Sequence, residues 1–187
     1  MEATMRPPIS APVAALYTTE LCHRIVPGGL PVSVPHEPLA GKPQLECFPT
    51  VAEHVAEHGG ESVVGWAVWE VSGVFVEAEF HCVWKAPDGT LHDLTPRPIP
   101  LESILFLPDP TRQYRGRQVD NVRQPLVDDR DVYRYLYLVK RVFELTNAGP
   151  LAEQHGEISL PPKAAKEYWK VMGELAKLQA RLDRRYQ

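Results

Sequence analysis

Cysteine is scarce in this sequence: Cys22, Cys47 and Cys82 are the only three in 187 residues, at irregular spacing. That excludes a disulfide framework and the paired spacing of a zinc finger, and fits free thiols in a reducing cytoplasm. No apolar run approaches the roughly 20 residues that a spanning helix needs. The N-terminal stretch MEATMRPPIS has neither the basic start nor the apolar core of a secretory leader, so a cytoplasmic, membrane-free protein is expected. Glycine is thin too, 12 residues, none set out as a phosphate loop or a dinucleotide fingerprint. Repeats, low-complexity tracts and nucleic-acid signatures are missing, so neither a nucleotide cofactor nor a nucleic-acid partner is expected. Basic residues are sparse in one part only. Residues 1–110 hold 5 Lys/Arg against 14 Asp/Glu and residues 111–187 hold 15 against 10, which reads as solvated basic helix faces rather than an anion-binding surface.

What is there in quantity is proline, 19 residues. Eight of them, from Pro7 to Pro43, crowd into residues 1–45 and rule out one long helix or a central strand, so this part is expected to be a mostly extended arm, with a short helix between Pro12 and Pro27 left open. At 44% hydrophobic and 24% charged, the chain has the balance of a globular domain. One domain over 1–187 is expected: the arm 1–45, a helix and antiparallel sheet over 46–110, a loop at 111–127, and two helices in 128–187. The expected fold class is α+β, with a sheet of about four strands and a cysteine-bearing helix packed on it. Ile104–Leu107 reads as an added edge strand. Asp128, Asp129 and Asp131 open a helix whose apolar side carries Val132, Leu136, Val139 and Phe143. In the final helix Ala164, Tyr168, Val171, Leu175, Leu178 and Leu182 form a stripe that docks within the chain or, alternatively, builds a homodimer.

The centre of the chain, GWAVWEVSGVFVEAEFHCVWKAPDGTLHDLTP (65–96), reads as three antiparallel strands. Alternation sets Val76, Ala78, Phe80 and Cys82 on one face and Glu77, Glu79, His81 and Val83 on the other. The reversal Ala86-Pro87-Asp88-Gly89-Thr90 carries proline and aspartate where a type I turn wants them and glycine where φ is positive, the pattern of a three-residue hairpin loop. Loop length sets register. With Ala86 opposite Thr90, Val83 faces Asp93, and Asp93 lies diagonal to His81 on the same face, within reach of a hydrogen bond. A two-residue loop would send the two side chains to opposite faces.

Upstream, Pro49 and the pair Gly59-Gly60 bracket a helix whose start falls at Cys47. Free backbone N–H groups at that end favour a thiolate, although a cysteine flanked by Leu45 and Phe48 also suits a small buried hydrophobe. Cys47, His81 and Asp93 then make a chemically sensible triad: imidazole takes the thiol proton and the carboxylate fixes the ring's tautomer. Gln44, Trp66, Trp69, Glu77 and Glu79 are candidates for contacts to a small-molecule or peptide substrate. Trp66 and Trp69 are an odd number apart, so one of them faces a cleft. The order of the triad and the element bearing each member resemble the papain-like clan of cysteine enzymes, above all its transglutaminase-like and cell-wall-amidase-like branches. That resemblance, over roughly 44–107, implies cleavage or transfer of an acyl group. The blocks GWAVWE, EAEFH, PDG and HDLTP also resemble bacterial proteins of unassigned activity. Two other readings stay open: a binding module in which the polar face and the Arg-rich loop hold a ligand and Cys47 is core, and a metal site built from Glu79, His81 and Asp93, with Glu77 as a further donor or His92 in place of Asp93.

Overall fold

The structure is a computed structural model that describes residues 7–154 and 158–186. Its spine is the hairpin of β3 (Glu61–Val71) and β4 (Phe75–Lys85), paired along its whole length from Glu61↔Lys85 to Val71↔Phe75. Five shorter strands complete an antiparallel sheet: β1 (Ile9–Ser10), β2 (Val32–Pro35), β5 (Leu91–His92), β6 (Ser103–Pro108) and β7 (Val122–Pro125). The order is β2-β6-β3-β4-β5, with β1 on β3 and β7 on β4. Seven strands replace the expected four or so because the proline-rich arm supplies β1 and β2 and the presumed loop 111–127 supplies β7. Proline is tolerated there since these short segments lie at strand ends and sheet margins. β6 is consequently internal rather than an edge, with β2 on one side and β3 on the other.

The sheet has two unlike faces. On one, Trp66, Val68, Val76, Ala78, Phe80, Leu105 and Leu107 form a core with Leu21 and Cys22 of α1 (Leu16–Ile25). The body of α2 (Cys47–His58) lies on this face as well: Val51, Val55 and Phe48 pack with Cys82, Val64 and Trp84. The other face carries Ala67, Trp69, Val83, Ile104, Phe106 and Val34. Extended chain rather than helix runs beside it, with residues 36–45 bonded to residues 93–96 through Glu37 N–H to Asp93 O, Leu39 N–H to Leu94 O and Leu45 N–H to Pro96 O.

Beyond the sheet, α3 (Arg130–Thr146) and α4 (Pro162–Arg185) pack against each other. All six residues of the α4 stripe are buried or half-buried inside the chain, against Leu138 and Leu145 of α3 and, at Leu182, against Val71, Val74 and Phe75 of the sheet. The stripe is thus satisfied without a second subunit. α3 buries Val132, Leu138 and Leu145, while Val139 and Phe143 of the expected core side turn to a cavity over the sheet. Much of the excess basic charge is committed to ion pairs between the helices: Arg134 to Glu174 at 2.7 Å, Arg141 to Glu167 at 2.7 Å and Arg181 to Asp131 at 2.9 Å. Among the described residues, no helix is long and apolar enough to cross a membrane.

Candidate functional site

The hairpin loop adopts the register that its chemistry implies. Ala86 N–H bonds to Thr90 O at 2.8 Å, Gly89 N–H to Ala86 O at 2.9 Å, and Gly89 takes φ +91°. Trp84 pairs with His92 and Lys85 with Leu91, so Asp93 follows on the His81 face. Asp93 is not itself in a β4–β5 ladder. It forms a parallel bridge with His36, its N–H bonded to Pro35 O at 2.9 Å and its carbonyl accepting from Glu37 at 2.8 Å. The proline-rich arm therefore holds the backbone of the acid.

His81 Nε2 lies 2.9 Å from Asp93 Oδ1, with the side chains only 1% and 0% exposed. The same carboxylate oxygen accepts the N–H of Thr95 at 3.2 Å. Burial works against charge on the ring, but the charge of Cys47, hydrogen bonds with Asp93 and Cys47, and the charge of Asp93 outweigh it and carry His81 up to about 10. With Nε2 given to Asp93, Nδ1 is the ring nitrogen left for another partner. Asp93 is held below the usual carboxylate range: burial opposes this, and His81, Arg97 and the Thr95 N–H overcome it.

Alternation alone would separate Cys47 from His81, because α2 lies on the face opposite the imidazole. The edge of β4 resolves this. β7 pairs with Phe75–Ala78 and β5 with Trp84–Lys85, so Glu79–Val83 meet no strand on that side among the described residues. At this gap Cys47, Glu79 and Phe80 line one cavity of about 400 Å³, whose far wall is Val139, Val142 and Phe143 of α3. Tyr114 stacks on Phe48 with ring centroids 3.8 Å apart and lines the same cavity, so part of 111–127 is wall rather than free loop. The chain enters α2 through Leu45, the one described non-glycine residue with positive φ, at +63°. Such a conformation costs a β-carbon-bearing residue about 1–2 kcal/mol. It sits two residues before the cysteine, as strained backbone at functional sites commonly does.

Cys47 is the first residue of the helix, and no side chain caps that end. Thr50 N–H bonds to Glu46 O and Pro49 has no N–H, which leaves the backbone donors of Cys47 and Phe48 for a ligand. A second cavity of about 280 Å³ shares Leu45, Glu79 and Asn121 with the first and is lined also by Trp69, Glu77 and Arg97. In it Trp69 Nε1 donates to Glu79 Oε2 at 2.7 Å, and Arg123 Nε and Asn121 donate to Glu77 Oε2, each at 3.0 Å.

Of the residues singled out by sequence, Cys47, Trp69, Glu77 and Glu79 line these cavities, while His81 and Asp93 are buried and line neither. Trp66 lies in the core on the opposite face, 1% exposed, its Nε1 donating to Asp109 at 3.0 Å. Gln44 is exposed and lines neither cavity, because the turn at Gln44-Leu45 directs the chain away before α2 begins. His92 faces outward, bonded to Glu37 and Thr90. Among the described residues no group of three or more His, Cys, Asp or Glu side chains is arranged to hold a metal ion, and Glu79 is engaged by Trp69 and Arg97 rather than by His81. Residues that sequence reasoning missed are His36, Arg97 and the α3 wall. Only Arg97 left a trace, as a lone cation in an acidic stretch four residues after Asp93. Comparison with models of protein families, with curated proteins and with solved structures returns no match.

Proposed function

We propose that this chain is a thiol-nucleophile enzyme that hydrolyses an amide or ester, or transfers its acyl group, through Cys47, His81 and Asp93. The observation that carries the reading is the buried His81–Asp93 pair at 2.9 Å coupled to Cys47 at the uncapped start of α2. In the first half-reaction the Cys47 sulfur bonds to the substrate carbonyl carbon. His81 holds the thiol proton and delivers it to the leaving amine or alcohol as the bond to that group breaks. The carbonyl oxygen gains charge beside the Cys47 and Phe48 N–H groups, where fixed donors act most strongly. In the second half-reaction water or an amine gives its proton to His81 and attacks the thioester carbon, and the sulfur departs with the electron pair. Asp93 keeps the ring's Nε2 occupied, so Nδ1 stays turned to the sulfur.

One observation favours the alternative binding module: Cys47 is only 5% exposed and packs with Val51 and Cys82. A chromogenic aryl acetate, followed by intact mass, separates the two readings. The enzyme reading expects one acetyl group on Cys47 in the wild type, none at that position in Cys47→Ala, and acylation slowed about a hundredfold or more in His81→Ala. Equal labelling of wild type and Cys47→Ala would leave the binding module.

A further inference from the structure

Asp93 has a second neighbour that the triad does not use. Arg97 is buried, its side chain 6% exposed, with its guanidinium 4.4 Å above the centre of the Trp69 ring. Its Nη1 donates to Glu79 Oε2 at 3.2 Å, and its Nε stands 3.7 Å from Asp93 Oδ2. That last separation is too long for a hydrogen bond, and Arg97 Nε, Arg97 Nη2 and Asp93 Oδ2 are all buried without a hydrogen-bond partner. A cation enclosed at this depth persists only where opposite charge compensates it. Two carboxylates do so here, one from the triad and one from the wall of the cleft. Asp93 Oδ1 is fully committed to His81 and Thr95, so Arg97 acts on the other oxygen through charge. His36 Nε2, at 4.0 Å from Oδ2, is turned to the Thr95 carbonyl at 2.9 Å.

We propose that Arg97 is a positioning residue for the Cys47–His81–Asp93 chain, holding Asp93 as the acceptor for His81 and tying it through Glu79 to the wall of the substrate cleft. Trp69 is part of the same device, because its ring supports the guanidinium and its Nε1 anchors the Glu79 oxygen that Arg97 also uses. The charge of Arg97 keeps Asp93 ionised as the pH falls, with the titratable and charged side chains facing that carboxylate being Arg97, His81 and His36. Glu77, on the same face, is balanced separately by Arg123.

This inference rests on the enzyme reading, and one experiment separates their failures. Alkylation of Cys47 by iodoacetamide is followed by mass spectrometry from pH 4 to 9 in the wild type, His81→Ala, Arg97→Met, Arg97→Lys and the Asp93→Asn/Arg97→Met pair with its Asp93→Asn parent. An arginine beside a carboxylate lowers it by about 1–3 units, so Arg97→Met should move the acid limb of the profile up by about one unit while Arg97→Lys largely restores it. In the Asp93→Asn background the same Arg97 change should do nothing to the limb. If His81→Ala leaves the wild-type profile unaltered, the triad itself is wrong. If His81→Ala alters it and Arg97→Met does not, Arg97 is structural only and the proposal is overturned. Should Arg97→Met fail to fold, Glu79→Gln supplies the test: an arginine released to Asp93 lowers the acid limb, and an unmoved or raised limb refutes the role.

Discussion

Replacing Gly65 by alanine tests how tightly the site face is packed. Gly65 stands in register with His81 on one side and Pro108 on the other, on the face that carries the imidazole. A β-carbon there would lie 2.2 Å from the Leu107 carbonyl oxygen and 2.7 Å from Cζ of Phe106, whose ring meets His81 edge-on at 6.4 Å. The first contact is with backbone, so no rotamer change relieves it; the β3–β6 ladder itself must spread. Overpacking of this kind costs about 1–3 kcal/mol, and a backbone clash belongs at the upper end, partly offset by about 0.4–1 kcal/mol from stiffening the unfolded chain. A net loss of about 2 kcal/mol lowers the melting temperature of a chain this long by roughly 4–8 °C. Gly173→Ala in α4 is the control, since nothing lies within 4 Å of its added carbon, and helix propensity favours alanine by about 0.8–1.0 kcal/mol. The same chemical change should therefore act in opposite directions at the two positions. Thermal melts of the three proteins decide it, and a Gly65→Ala protein as stable as the wild type would refute the packing argument.

Two further variants test buried contacts. In Asp93→Asn, a proton NMR titration should find His81, carried to about 10 in the wild type with burial opposing and Cys47 and Asp93 supporting the charge, brought down by about 1–3 units; a ring that titrates near 6.5 in both proteins contradicts the coupling. The same variant should lose about 3–5 kcal/mol in urea at neutral pH by taking the buried His81 cation's carboxylate partner away. It should also lack part of the wild type's acid sensitivity: the lowered Asp93 stabilises the fold above about pH 3.9, its unfolded value, and that stability is lost as pH falls through the folded value. Leu182→Ala, at a fully buried side chain between Val71, Val74, Phe75 and Val132, should cost about 2–5 kcal/mol in urea unfolding; a loss under about 1 kcal/mol would mean that α4 is not anchored on the sheet.

How much of this was legible in the sequence depends on how local each cause is. Pro87, Asp88 and Gly89 act within one turn, and that turn sets the register that brings Asp93 beside His81. The start of α2 was likewise readable from Pro49 and its end from Gly59, which takes φ +72°. Trp66 and Trp69 were separable by parity, yet parity does not say which face a helix covers; α1 and the body of α2 cover the Trp66 face and leave Trp69 to the cleft. Strands β1, β2 and β7 were illegible because each is held by pairing to a distant partner, as Val34 is by Ile104, and proline content argued against them.

The electrostatic coupling of His81 to Cys47 is the least local feature. Period-two alternation assigns side chains to faces, and it places the imidazole away from the helix that carries the thiol. The interruption between β5 and β7 opens the edge of β4, since a continuous strand beside Glu79–Val83 would close the edge at which Cys47, Glu79 and Phe80 share a cavity. The shortness of β5 is in turn set by the arm, which takes over the backbone of Asp93 through Pro35 and Glu37. A segment that reads as an appendage thus holds the acid and helps keep the edge open for the nucleophile. Altering the arm between Pro35 and Leu45 should disturb the site before it disturbs the β3–β4 spine, because that stretch bonds to residues 93–96 while the spine's ladder closes between β3 and β4 themselves.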